Sequence, residues 1–198
     1  MIETEIKLRV HEETQATIQL LESHGCHIRI PRMLQIDQVF DRPDSAMRES
    51  GTLLRVRSSG RVSILTYKGP ARPGRHKSRE ELEASTSDSD ALVAILDRLG
   101  YVPSFRYEKY RTTFADGDDD AAVIALDETP IGVFLELEGP EDWIDGTAHR
   151  LGFVSSDYIT ASYGSLYRDY LAVHGGPPDM VFGDSVQVPT KAPPTKAP

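Results

Sequence analysis

The sequence predicts an α+β fold, a closed eight-stranded antiparallel β-barrel with helices packed outside it. Three observations carry this reading. Apolar residues alternate at period two through most of the first 174 residues. Short turn-forming links join several of the alternating segments, which makes the sheet largely antiparallel. Segments with helical spacing need an apolar surface to pack on, and each strand offers one opposite its charged side.

The elements follow in order. In residues 2–10, Ile2, Thr4, Ile6, Leu8 and Val10 face one way, and Glu3, Glu5, Lys7 and Arg9 the other. Residues 11–23 carry Ile18, Leu20 and Leu21 at helical spacing and stop at Gly25. Residues 26–41 read as one long strand ending at Arg42-Pro43. Residues 52–58 and 62–69 form a hairpin around Ser59-Gly60, residues 70–76 a Pro/Gly/Arg loop, and residues 77–85 another strand. A helix over 88–99 has Ser87 or Asp88 as its cap and Gly100 as its stop. Residues 101–115 and 121–128 pair across an Asp/Gly-rich turn, and 131–138 adds a strand after Thr129-Pro130. Two helices close the pattern, over 141–151 and 162–173. The expected total is eight strands and four helices, in one folded domain over residues 1–174. From Gly175 the chain is rich in proline and without period, so 175–198 is expected to be a disordered tail, with Met180 to Phe182 undocked.

Composition bounds the function. The 198 residues carry 22 Lys+Arg against 31 Asp+Glu, a formal charge of -9, which argues against general nucleic-acid binding. No apolar run approaches the roughly 20 residues of a membrane helix, and the first residues lack the pattern of a secretory signal. The lone cysteine, Cys26, fits a reducing cytoplasm and a buried structural thiol.

The polar sides of the strands are unusual in what they carry. Arg55 and Arg57 alternate with Leu54 and Val56, and Lys77, Arg79, Glu81 and Glu83 share one face. Lys109 and Arg111 share another, as do Glu136 and Glu138, while Asp127 stands alone among apolar neighbours. For any single strand a solvated face explains this. With helices outside a closed barrel, however, the charged faces line its interior. Buried charges must pair or be balanced by a ligand. Cations clamp phosphate oxygens, and carboxylate clusters bind Mg²⁺ or Mn²⁺. The reading is therefore a hydrophilic tunnel for a phosphorylated ligand.

The ordered motifs resemble a known family. Glu3-Thr4-Glu5-Ile6-Lys7 is similar to the ExExK signature of the CYTH superfamily, the triphosphate tunnel metalloenzymes. It is followed by Leu53-Leu54-Arg55-Val56-Arg57, Thr66-Tyr67-Lys68-Gly69-Pro70, residues 77–83, Glu108-Lys109-Tyr110-Arg111, Ile124-Ala125-Leu126-Asp127 and Phe134-Leu135-Glu136-Leu137-Glu138, and Ser162-Tyr163 near the end also resembles the family. The resemblance is strongest to the class IV adenylate cyclase branch. It implies an enzyme that converts ATP to cyclic AMP and pyrophosphate. Two alternatives stay open: a triphosphatase acting on inorganic tripolyphosphate or thiamine triphosphate, and a non-catalytic triphosphate or polyphosphate sensor. It implies a catalytic set of Glu3, Glu5, Lys7, Glu136 and Glu138. Divalent metal, Mg²⁺ or Mn²⁺, would be held by Glu3, Glu5, Asp127, Glu136 and Glu138, with Glu81 and Glu83 assisting. Phosphate would be bound by Lys7, Arg55, Arg57, Lys68, Lys77, Arg79, Lys109 and Arg111. The expected partner is a small triphosphate, with no nucleic acid and no membrane, and the resemblance admits a homodimer. One departure stands out: where related chains carry an aromatic after Asp-x in the second strand, this one has Asp37-Gln38-Val39-Phe40. Either Phe40 takes that role or the wall has changed.

Other signals carry less. Residues 69–78 approach a phosphate-binding loop, but Arg75 stands where lysine must follow Gly74, and the segment joins two strands. Arg72 and Arg75 of this loop either reach a phosphate or are solvated. The acidic run from Asp116 to Asp120 reads as a hairpin turn, not a calcium loop. The six histidines lack ligand spacing, and Trp143, Tyr163, Tyr167 and Tyr170 read as helix packing.

Overall fold

The structure is a computed structural model that describes residues 1–117 and 122–183. Its elements are β1 (Ile2–Val10), α1 (Thr14–Ser23), β2 (Cys26–Asp41), α2 (Ala46–Glu49), β3 (Leu53–Ser59), β4 (Val62–Lys68), β5 (Lys77–Thr86), α3 (Ser89–Arg98), β6 (Val102–Asp116), β7 (Val123–Thr129), β8 (Gly132–Glu138), α4 (Glu141–Arg150) and α5 (Tyr163–His174). The eight strands close into a barrel in the order β1-β5-β4-β3-β2-β6-β7-β8. Every neighbouring pair is antiparallel. Closure removes the sheet edges, and the long β2/β6 ribbon bends at three register shifts.

Alternation puts one apolar layer outside the barrel. Ile6 and Leu8 of β1, Phe114 of β6, Ile124 and Leu126 of β7, and Leu135 and Leu137 of β8 pack with Leu21 of α1 and Ile144 and Ala148 of α4. A smaller cluster joins Phe40, Leu54 and Val56 to Leu96 of α3. Asp88 caps α3 by accepting from the Ala91 N–H at 2.9 Å, and α1 and α3 end where Gly25 and Gly100 take left-handed φ of 84° and 83°. A third cluster gathers Tyr163 and Tyr167 of α5 with Tyr107 and Phe134. Among the described residues no helix is long and apolar enough to cross a membrane.

The structure corrects the expected layout in two places. There are five α-helices among the described residues rather than four, because α2 follows Arg42-Pro43. Its backbone is held from outside the segment: the Asp41 carboxylate accepts N–H bonds from Arg42, Met47 and Arg48 at 2.7–3.1 Å. Local periodicity over four residues cannot register such a cap. The second correction is at residues 175–182, where the expected tail instead docks. Met180 forms a parallel bridge with Tyr107, with the Glu108 N–H donating to the Met180 carbonyl at 2.8 Å and the Met180 N–H to the Arg106 carbonyl at 3.0 Å. Asp179 accepts the Arg106 N–H, and the Tyr110 and Phe182 rings lie 5.2 Å apart. The physical reason is that β7 pairs with β6 only from Tyr110 onward, so Arg106 and Glu108 need partners that the strap supplies. Residues 184–198 of the expected tail, and the 118–120 part of the acidic turn, lie outside the described residues.

Met180 is 0% exposed. Met180→Ala is expected to lower unfolding free energy by about 2–4 kcal/mol, read from urea denaturation; a loss under about 0.5 kcal/mol would mean the strap is not seated.

Candidate active site

Barrel register sets cations opposite carboxylates on the inner face. Lys7 lies opposite Glu136, Glu5 opposite Lys77 and Glu3 opposite Arg79. Arg57 lies opposite Asp37, Lys68 opposite Glu81 and Arg111 opposite Asp127. Cross-strand neighbours of opposite charge attract, and here they do so away from water. The resulting cavity, of about 550 Å³, is lined by eight cations (Lys7, Arg55, Arg57, Lys68, Lys77, Arg79, Lys109, Arg111) and six carboxylates (Glu3, Glu5, Glu81, Glu83, Glu136, Glu138). All the residues expected to bind phosphate are therefore on one wall system, and so are all the expected acidic residues except Asp127.

Asp127 is instead behind the wall. It is 0% exposed and does not line the cavity. Its oxygens accept from Lys109 Nζ at 2.8 Å, Arg111 Nε and Nη2 at 2.6 Å, and the Tyr163 hydroxyl at 2.7 Å. With four donors already on two oxygens, it serves as a buried counterion, contrary to the expected place among metal ligands. Asp37, also 0% exposed, does the same for β3: its Oδ1 lies 2.8 Å from Arg57 Nε and 3.3 Å from Arg55 Nε. Burial raises both carboxyls, but Arg111 and Lys109 at Asp127, and Arg57 and Arg55 at Asp37, outweigh it and hold them below the usual range.

The remaining ion pairs divide the lumen. Lys7 Nζ bridges Glu5 at 3.3 Å and Glu136 at 3.2 Å, and Lys77 Nζ reaches Glu5 at 2.8 Å. Glu136 also pairs with Arg111. Lys68 Nζ donates to both Glu3 oxygens at 2.6 Å and lies 3.1 Å from Glu81. Burial would raise Glu5 and Glu136, yet these cations hold both well below the usual range. Burial and the Arg111 charge depress Lys109 to about 8. Glu138 is the exception. Opposite Glu5 on β1, it makes no ion pair among the described residues, and burial with Glu3 and Glu5 beside it pushes its carboxyl up to about 7. Burial and Glu5 raise Glu3 as well.

This crowding tests the fit of a divalent cation. Among the described residues no three ligand side chains converge tightly enough to chelate one, because lysines and arginines engage Glu3, Glu5 and Glu136. The donor set nonetheless fits a hard ion. It is all oxygen, and at Glu3 and Glu138 negative charge is crowded against negative charge, which a cation would relieve.

Two further groups belong to the site. Tyr163, read from sequence as helix packing, lines the cavity; its ring lies 5.2 Å from Lys7 Nζ and 5.0 Å from Lys109 Nζ. Tyr107 lines it too, with its hydroxyl 3.4 Å from Arg55 Nη1. The Ser162-Tyr163 likeness to the family was the available signal for the first. For Tyr107 only its parity with Lys109 and Arg111 pointed inward. A second cavity of about 540 Å³ shares Lys77, Arg79, Tyr107 and Tyr163 with the first and adds Val39 and Phe105. Phe40 packs with Leu54 and Leu96 under α3 and also borders the second cavity. Val39, which stands where related chains carry the aromatic, lies opposite Arg55 and joins the cluster of Phe105 and Tyr107. Arg75 does not reach the lumen; it pairs with Asp145 of α4.

A family model for the CYTH domain matches residues 1–145. This chain belongs to the CYTH family. A Methanocaldococcus jannaschii protein named "Putative adenylate cyclase MJ0240" is 33% identical over 140 residues, covering 70% of this chain and 77% of that one. An X-ray structure from Vibrio parahaemolyticus, named in the same way, superposes with a TM-score of 0.74 at 18% identity, over 85% of this chain and 98% of the other. A Hippeastrum protein, named "Putative adenylyl cyclase HpAC1" and described as having a dominant triphosphatase activity, gives a TM-score of 0.60 at 18% identity, over 85% and 96%. The last two likenesses are of fold.

Glu138 supplies a pH test of the CYTH tunnel's carboxylate wall. Its folded value near 7 lies above the ordinary 4.5. Its contribution to stability is therefore full below about 4.5 and lost as pH rises through 7. Glu138→Gln should match the parent chain near pH 4.5 and exceed it by about 2 kcal/mol at pH 8 in a metal-free buffer. Parallel urea midpoints at the two pH values would sink the assignment.

Proposed function

We propose that this chain is a divalent-metal-dependent enzyme acting on triphosphates, and that it converts ATP to cyclic AMP and pyrophosphate. The observation that carries the reading is the charge balance of the tunnel. Its eight lining cations face six carboxylates, with Asp37 and Asp127 behind them. A polyphosphate entering such a lumen must bring cations of its own or leave carboxylates and phosphates facing each other. A lumen with both sets of side chains suits a metal–triphosphate complex better than a bare polyanion. Arg55 Nε and Arg79 Nε, though 3.3 Å from Asp37 and 3.6 Å from Glu3, make no hydrogen bond among the described residues and keep that capacity for a ligand.

Glu3, Glu5, Glu136 and Glu138 would hold the metal. When bound, Mg²⁺ or Mn²⁺ supplies charge neutralisation at the phosphates and acidifies the attacking hydroxyl. The chain's own residues do the positioning. Arg55, Arg57, Lys68, Lys77, Arg79, Lys109 and Arg111 hold the β- and γ-phosphoryl oxygens, so that pyrophosphate leaves along the basic wall. Asp37 and Asp127 keep four of these cations in place without entering the lumen. The ribose 3′-hydroxyl attacks the α-phosphorus, and the second cavity, with Val39, Phe105 and Tyr107, gives the nucleoside a partly aromatic seat.

Hydrolysis is the second reading, favoured by the triphosphatase activity ascribed to the Hippeastrum protein of the same fold. The same cations would then hold the chain of phosphates while water attacks the terminal phosphorus. Product chromatography with ATP, tripolyphosphate and thiamine triphosphate, each with Mg²⁺ and with Mn²⁺, separates the two. Cyclic AMP with pyrophosphate is the expected outcome; orthophosphate released fastest from tripolyphosphate makes the chain a triphosphatase. Binding without turnover makes it a sensor. Glu136→Gln should lower turnover by about 100-fold or more with the fold retained by circular dichroism; unchanged turnover would remove Glu136 from the site.

A further inference from the structure

The β1–β5 seam is the shortest ladder in the barrel, four residue pairs ending at Glu5 and Lys77. Beyond it the β1 edge is taken by Ile159, which exchanges two backbone hydrogen bonds of 2.9 Å with Lys7. Asp145 of α4 sits where the start of β5 and the 158–159 segment meet. Its Oδ1 accepts from His76 Nε2 at 2.8 Å and from the Tyr158 hydroxyl at 3.0 Å, and its Oδ2 pairs with Arg75. His76 is buried, with its ring 5.9 Å from that of Tyr158 and Nδ1 3.6 Å from Glu141. The loop carrying His76 is otherwise tied, among the described residues, by backbone hydrogen bonds from Gly69 to Glu80 at 2.9 Å and from Arg72 to Ser78 at 2.8 Å. Lys77 follows His76, and because strand side chains alternate, seating His76 outside directs Lys77 inside, where it donates to Glu5 and lines both cavities.

We propose that Asp145 is a positioning residue which, through His76, Arg75 and Tyr158, latches the β1–β5 seam from outside and holds Lys77 at its phosphate-binding position. The inference rests on the tunnel being a triphosphate site. Nothing in the latch touches the lumen, so its effect on a ligand must pass through Lys77.

The test is a double-mutant cycle on tripolyphosphate binding in the presence of Mg²⁺ by calorimetry, together with amide exchange over residues 72–78. Asp145→Asn is expected to raise Kd about fivefold and to speed exchange of these amides. In a Lys77→Met background the same change should alter Kd less than about 1.5-fold. An equal loss in both backgrounds, or unchanged Kd and exchange, would overturn the latch. Tyr158→Phe removes one of the hydrogen bonds and serves in the cycle if Asp145→Asn does not fold. If the parent chain binds no tripolyphosphate, the triphosphate reading fails, and exchange alone then decides the latch: faster exchange in the variant supports it and unchanged exchange refutes it.

Discussion

Everything in this barrel depends on keeping some sixteen formal charges out of bulk water at tolerable cost. A closed barrel with apolar helices outside has only its interior for its charged faces, and an unpaired ion there is strongly destabilising. The solution is built from register. Six of the eight inner cations face a carboxylate across the ladder, and the two most buried carboxylates, Asp37 and Asp127, each hold two cations from behind, Arg55 and Lys109 among them. Removing one partner of such a pair typically costs about 3–5 kcal/mol, so the network constrains the fold as well as the site.

The same constraint shapes the outside. Because the inner face is polar, the hydrophobic stabilisation lies in the layer between barrel and helices, where β1, β7 and β8 meet α1 and α4. The aromatic cluster of Tyr107, Phe134, Tyr163 and Tyr167, completed by Met180, marks where the polar lumen gives way to packing. Tyr163 belongs to both. Its ring touches that cluster and lies beside two lysines, and its hydroxyl completes the shell of Asp127.

An acidic chain can thus carry a strongly basic wall, because the carboxylates that balance the wall share its interior. Glu138 is where the balance is incomplete. A carboxyl held near neutrality between two others is poised to exchange a proton for a cation, which links the electrostatics of the lumen to the chemistry proposed for it.

The barrel and nearly all of its lining were legible in the sequence, since period-two alternation assigns a residue to a face without knowledge of its neighbours. Glu3, Glu5 and Lys7 on one strand and Lys109 and Arg111 on another could be placed inside on parity alone once helices were assigned outside. Parity does not say how far along the barrel a residue sits or which partner it finds. Parity puts Asp127 on the inner face, but only the β6/β7 register brings Lys109, Arg111 and Tyr163 onto its two oxygens and so makes it a counterion. Phe40 against Val39 is a question of which side of β2 meets α3. The docked strap at Met180 answers a gap in β6 pairing that no local pattern records. Sequence determined the faces, because side-chain alternation is a local property of the extended chain; tertiary structure decided the pairings, because charge neutralisation and backbone satisfaction depend on residues far apart in sequence.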